Sequence, residues 1–424
     1  MKKILLSLFT GFSALVFGQN YVNQVIIVNE GYYDYMSSQI VEPVTVAVYD
    51  PATQVYQVVN TLVSERFASD AIVVGNEYYV AADQTIYKFD LDSHQELASV
   101  SCPGVRNIAH TDGKIIATRG EYMIAFTSYL HVYNAADLTL VQEFTTANGP
   151  QFPSQNLVVD GTNVYVAVNN GFDWGNEVGL IGKLDLSTMT YGNEIDLGVD
   201  GKNPDNMMIK DGFIYTVNNK DWSGASISKV SFDGSTNSTI NLASASTGCG
   251  TSSLRDDKII YQISMESVLN EFNVAGMNVV GPVAGFDLNY YELAQDPVSG
   301  NLYTSVTDFF SYGTIYVYDA SNNVVTNFAA GVSPGTIVFD VRSSAGIEAF
   351  TNEVSVYPNP FEDRLMINGV NGVYYVTTIA GSIVANGNLS GEDQIDLSLL
   401  NAGQYLLNIQ VEDGRVITKK INKN

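Results

Sequence analysis

One motif recurs seven times along this chain: an apolar strand that closes on an aromatic residue or Leu followed by Asp or Asn. It falls at Tyr49-Asp50, Phe89-Asp90, Tyr133-Asn134, Leu184-Asp185, Phe232-Asp233, Phe272-Asn273 and Tyr318-Asp319, at intervals of 40 to 51 residues. A unit repeated at this interval cannot bury its own apolar face and must stack on its neighbours. Roughly 40 to 50 residues is the length of the four antiparallel strands of one β-propeller blade. The composition agrees, being rich in Tyr, Val, Asn, Gly and Thr with only 15% charged residues.

A tight turn followed by a strand leads six of the seven instances: Gly75-Asn76, Asp112-Gly113, Asp160-Gly161, Asp211-Gly212, Asp256-Asp257 and Ser299-Gly300. Such dipeptides suit the positive φ angles of two-residue hairpins. The first unit lacks this turn and begins directly with "VIIV" at Val25 to Val28, which reads as a second strand. Its innermost strand is expected from "TIVFDV" at Thr336 to Val341, so the two ends of the domain pair and close the ring.

The first residues carry Lys2 and Lys3, an apolar run from Ile4 to Phe17, and Gly18 before Gln19. This is the pattern of a secretory signal peptide over 1–18, cleaved between Gly18 and Gln19. No later segment reaches the roughly 20 apolar residues of a membrane helix, so the mature chain is expected to have no transmembrane segment. Loss of Lys2 and Lys3 takes the formal charge from −25 to −27. A surface this acidic repels nucleic acid and anionic lipid. Cys102 and Cys249 are the only cysteines, too few for a metal knuckle or a disulfide framework.

The propeller is expected over 19–344, and a different composition follows over 345–424. There "VYPNPFEDRLMI", "VYYVTTIAGSIVANGNL", "QIDLSLLNAGQYLLNIQV" and "RVITKKINKN" read as five or six short strands of a small β-sandwich. The expected fold class is therefore all-β, a seven-bladed β-propeller followed by a small C-terminal β-sandwich. The tail resembles the type A C-terminal sorting domain of the type IX secretion system of Bacteroidetes. The resemblance is carried by Tyr357, Pro358, Asn359, Pro360 and Phe361, by Gly381, by Leu400, Gly403, Gln404 and Tyr405, and by Lys419-Lys420-Ile421. It implies passage across the outer membrane by the type IX machinery, and a secreted or surface-attached product.

In a four-stranded blade, antiparallel alternation puts the loops after the second and fourth strands on one face. The loops after the second strands are expected to be long and are rich in rings: "NEGYYDYMSSQIVEP", "RGEYMIAFTSY", "NNGFDWGNEVG", "NNKDWSGA" and "TDFFSYG". They carry Tyr32, Tyr33, Tyr35, Phe172, Phe309, Phe310 and Tyr312. Trp174 and Trp222 occupy corresponding places, behind Asn169-Asn170 and Asn218-Asn219. Aromatic faces with amides beside them suit a polar but partly flat organic ligand, such as a small molecule or glycan. The connections entering the inner strands bring Asp70, Arg106, Asn107, Gln155, Asn156, Asp205 and Asn206 toward the same mouth, where they contact ligand or cap the strands.

His94, His110 and His131 fall at different levels of the scaffold, so no His-based catalytic constellation can be assembled. No P-loop, dinucleotide fingerprint, HExxH or EF-hand loop is present. Catalytic residues, metal ligands and cofactors are accordingly not expected. The propeller resembles the YncE-like family of surface propellers, including the group known as DUF5074, on the strength of "VIIVNEG", the seven units and the "VYD" strand end. Some members bind vitamin B12 at the cell surface and pass it to a TonB-dependent outer-membrane transporter. The resemblance implies non-enzymatic capture of a corrinoid or another large nutrient. An extracellular propeller enzyme (a lyase, lactonase or glycosidase) and an adhesin are the alternatives.

Overall fold

The computed structural model describes residues 20–220, 222–248, 251–343, 354–379, 381–411 and 416–424. The signal segment with Gly18 and Gln19, and Cys249, lie outside them. By contact the chain divides into two compact units, Asn20–Ser343 and the C-terminal segment from Ser344 onward.

Asn20–Ser343 is built mainly of four-stranded antiparallel sheets; in one of them two short strands, Thr190–Tyr191 and Ile195–Asp196, share the outer edge, and Tyr32–Asp34 with Gln39–Glu42 form a separate two-stranded sheet. The second sheet is representative: Asp70–Val74, Glu77–Ala82, Thr85–Asp90 and Glu96–Ser101 in spatial order. Its second strand is buried almost throughout, because sheets cover both of its faces, whereas the fourth strand alternates exposed and half-buried residues at the rim. The repeated Asp or Asn has a local cause. Asp50 accepts hydrogen bonds from the Ala52 amide and the Thr53 hydroxyl at 2.8 and 2.6 Å, and Asp90, Asp185, Asp233 and Asp319 close their turns likewise. The motif is thus a turn lock at the end of the third strand.

Apolar clusters fill the space between successive sheets. Ile26, Val28, Val44 and Val46 pack on Ala71, Tyr78, Val80 and Phe89 of the next sheet. Val25, Ile27 and Tyr49 face the other way, onto Tyr303, Ile315 and Val317 of the last sheet. The period-two alternation of one strand therefore joins the two ends of the array. Pro334–Ser343 pairs with Asn20–Asn29, with Val25 opposite Phe339 and Ile27 opposite Ile337, giving the strand order 334–343, 20–29, 44–50, 55–62. The inner strand of each sheet touches that of the next, and Asn206 bridges one pair through the Ser252 carbonyl at 3.1 Å. The fold is β-propeller-like.

Three expectations are corrected. The fourth-unit turn is Gly161-Thr162, since Asp160 pairs with Asn163, and the last unit has a six-residue loop between Gln295 and Leu302. Asp296 organises that loop by accepting from the Val298 and Ser299 amides. The loop after the second strand is not long in every sheet: in the second it is only Asp83-Gln84, between Ala82 and Thr85.

In the tail, Ser355–Tyr357, Arg364–Thr378, Ile383–Asp396, Gly403–Val411 and Val416–Lys423 belong to one hydrogen-bonded sheet. Two strands span 15 and 14 residues, not the short strands expected, because a bulge between Asn368 and Val370 lets a single strand change partners along its length. Phe361, Leu365, Leu407 and Ile421 lie in its core. Asn359 ties the "YPNPF" segment to the last strand, donating to the Lys420 carbonyl and accepting from the Asn422 amide, while Tyr357, Pro358 and Pro360 stay exposed. Gly381 takes a positive φ in a turn, and Tyr405 donates to the Asn401 carbonyl.

Candidate functional site

The residues that begin the inner strands, and the loops after the second strands, enclose a cavity of about 650 Å³ at one end of the ring. Of the residues expected there, Tyr32, Tyr33, Tyr35, Arg106, Asn107, Asn169, Phe172, Trp222, Phe309 and Phe310 line it. Asp70, Gln155, Asn156, Asp205 and Asn206 do so as well.

The others stand elsewhere. Asn170 holds its own loop through the Asn176 carbonyl, and Asn218 is buried between the Ser226 and Ser228 hydroxyls. Asn219 lies behind the wall, donating to Asp205 at 2.9 Å and accepting from the Thr247 amide and hydroxyl. Trp174 is 72% exposed beside Tyr122, and Tyr312 is 74% exposed; neither lines the cavity. Amides next to aromatic residues therefore serve the loops at these positions, because a long loop has backbone groups of its own to satisfy.

Several wall residues were not singled out by their sequence context. Glu30, Arg66, Phe67, Glu121, Asn203, Tyr291 and Glu292 all line the cavity. Position was the available signal: Glu292 precedes the last inner strand as Asp70, Arg106 and Asp205 precede or begin theirs.

Carboxylates dominate the interior. Glu30 accepts from the Tyr291 hydroxyl at 2.7 Å. Burial pushes its carboxyl up to about 7, against the opposing effects of Tyr291 and Arg106. Burial likewise raises Asp70 and Asp205 to about 6. Glu292 is driven well above the usual range by burial and by the charges of Asp70 and Glu30. Arg106 faces this group, bonded to Gln155 at 3.2 Å and lying over the rings of Phe172 and Phe67. Arg66 is occupied by a fork of bonds to Asp83 and by Glu121 at 2.7 Å. Among the described residues no three His, Cys, Asp or Glu side chains assemble a metal-binding group.

The histidines lie outside this wall. His131 is held between Arg119 and Tyr133, and burial with the Arg119 charge lowers it to about 4. Cys102 is a buried free thiol raised by burial.

Fold and cavity together define a β-propeller-like protein with a polar, ring-lined cavity at one end. The chain is similar in fold to the extracellular domain of the hybrid two-component system BT4673 from B. thetaiotaomicron, with TM-score 0.50 and 13% identity over 94% of this chain and 57% of that one. Dihydro-heme d1 dehydrogenase NirN, in complex with DHE, is similar with TM-score 0.50 and 14% identity over 92% and 78% of the two chains. At these identities the likeness is one of fold. No curated protein sequence matches the chain. Residues 355–424 match the family described as the secretion system C-terminal sorting domain. The protein carries a type IX sorting tail and is secreted to the cell surface. No helix among the described residues is long and apolar enough to cross a membrane.

Proposed function

We propose that the chain is a seven-bladed β-propeller, over 19–344, that captures a large organic nutrient at the cell surface and presents it to a TonB-dependent outer-membrane transporter. In this reading 1–18 is a signal peptide and 345–424 is a sorting sandwich handled by the type IX machinery. The observation that carries the reading is the 650 Å³ cavity, whose wall combines rings with polar groups. That volume falls within the roughly 300–1,000 Å³ of small-molecule sites. Exposed rings on the same loops, Tyr35, Trp174, Phe310 and Tyr312, widen the apolar surface around the mouth.

Calorimetric titration of the full chain with cobamides, haem and oligosaccharides tests it. Binding of one class, weakened by Trp222→Ala plus Phe172→Ala, is expected; silence across all three classes removes the proposal. One observation favours a second reading, an extracellular enzyme: Glu30 titrates near neutrality, as a general acid or base does. Conversion of a bound ligand to product, abolished by Glu30→Gln, would establish that alternative.

A further inference from the structure

We infer that the ligand of this cavity is a neutral oligosaccharide, an inference that rests on the capture reading above. The wall offers donors and acceptors together, and some of them are left without a partner. Asn203 is 1% exposed and lines the cavity, yet its Nδ2 finds no acceptor among the described residues. Asn107 lines the same space, and its solvent-shielded Oδ1 receives no hydrogen bond from the described residues. Each such buried group left unpaired costs on the order of 1–3 kcal/mol. A partner that arrives with the ligand relieves that cost.

The two unpaired atoms ask for opposite things. An ammonium or guanidinium ligand would satisfy Asn107 and the carboxylates but leave the Asn203 donor unmet. A carboxylate or phosphate ligand would satisfy Asn203 but meet Glu30, Asp70 and Asp205, with Arg106 the one cation among the described wall residues not already bound to an acid. A hydroxyl donates and accepts from a single atom, so a polyhydroxylated ligand answers both.

The rings supply the remaining part of the recognition. The weakly polar C–H faces of a pyranose lie flat on aromatic rings, and Trp222 and Phe172, whose ring also carries Arg106, line the cavity from two neighbouring sheets. Tyr35, which lines the cavity, is 71% exposed, and Trp174, outside the lining beside Tyr122, is 72% exposed, so rings continue beyond the cavity itself. The arrangement therefore suits a chain of sugars with one end in the cavity.

The test is calorimetry on the full chain at pH 7.5, with maltohexaose, cellohexaose, xylohexaose, mannohexaose, hexagalacturonate, cyanocobalamin and haemin as probes. At least one neutral hexasaccharide is expected to bind, and hexagalacturonate at least tenfold more weakly. Asn203→Gly keeps the left-handed backbone of φ 54° accessible and should weaken the neutral sugar about tenfold, the loss of one hydrogen bond. Trp222→Ala removes a ring already 41% exposed and should act in the same direction. Thermal melts of both variants guard against misfolding. Hexagalacturonate binding as tightly as the neutral sugars overturns the inference. So does cyanocobalamin or haemin binding while every neutral sugar fails, and in that case the capture reading stands. If no probe binds, both fall.

Discussion

Replacing Glu30 with Gln should make the propeller-like unit more stable as the pH rises. The folded carboxyl titrates at about 7, against 4.5 for the free group. Between those values the folded chain holds a proton that the unfolded chain has released. The group's contribution is therefore fully present below about pH 4.5 and is lost as pH climbs through 7. At about 1.4 kcal/mol per pH unit, this amounts to about 3 kcal/mol at the limit, and because Glu30 is only partly shielded from solvent, screening reduces it to about 1–3 kcal/mol. Gln keeps an acceptor for the Tyr291 hydroxyl but has no charge to bury. The wild-type profile alone is not diagnostic, because His94, His110 and His131 are all lowered by burial and gain stability as pH rises toward 6.5. The difference between variant and wild type cancels them. Calorimetric melts at pH 4.5, 6, 7 and 8 should show near equality at the lowest pH and an advantage for Glu30→Gln of about 2–6 °C at the highest. A difference that is constant with pH, or that shrinks, would refute a buried carboxyl at this position.

Deleting 334–343 should abolish cooperative unfolding in urea, since the strand supplies the whole inner edge of its sheet and Ile337 sits in the cluster that joins the last sheet to the first. Asp50→Ala should cost about 1 kcal/mol in the same assay, the worth of a lost turn bond, and leave ligand affinity unchanged. Asn218→Ala strips a buried amide from the Ser226 and Ser228 hydroxyls and should destabilise by about 1–3 kcal/mol without altering affinity. Removing 355–424 should leave the protein inside the cell, as fractionation of the producing bacterium would show.

The ring was legible because its signals are local. Asp50, Asp90 and Asp185 at strand ends each lock a turn with atoms two or three residues away, so the lock tends to recur where the turn does. The closing pair was legible for a different reason: the first unit lacked a hairpin turn, and an orphan strand remained after the last. The six-residue loop after Gln295 was not legible, because its length follows from how Asp296 accepts bonds from Val298 and Ser299. The bulged long strand of the tail was hidden likewise, since change of partner along one strand leaves little trace in its composition.

The candidate site divides along the same line. Rings on long loops could be assigned to one face from strand order alone, yet Trp174 and Trp222 occupy matching loops and only Trp222 reaches the cavity. The Asp173 amide turns back on the Asn170 carbonyl at 3.1 Å and the Trp222 amide on the Asn219 carbonyl at 2.8 Å. Equivalent turns therefore carry Trp222 at the closing position and Trp174 one residue beyond it, so the two indoles are set differently. The acids were missed for a more general reason. On a chain of charge −25, Glu30 and Glu292 look like solvating residues until residues at the starts of several inner strands converge on one cavity. Convergence turns an ordinary surface carboxylate into a crowded one. Its consequence is the raised titration of Glu30, Asp70, Asp205 and Glu292, which no single strand carries in its own sequence.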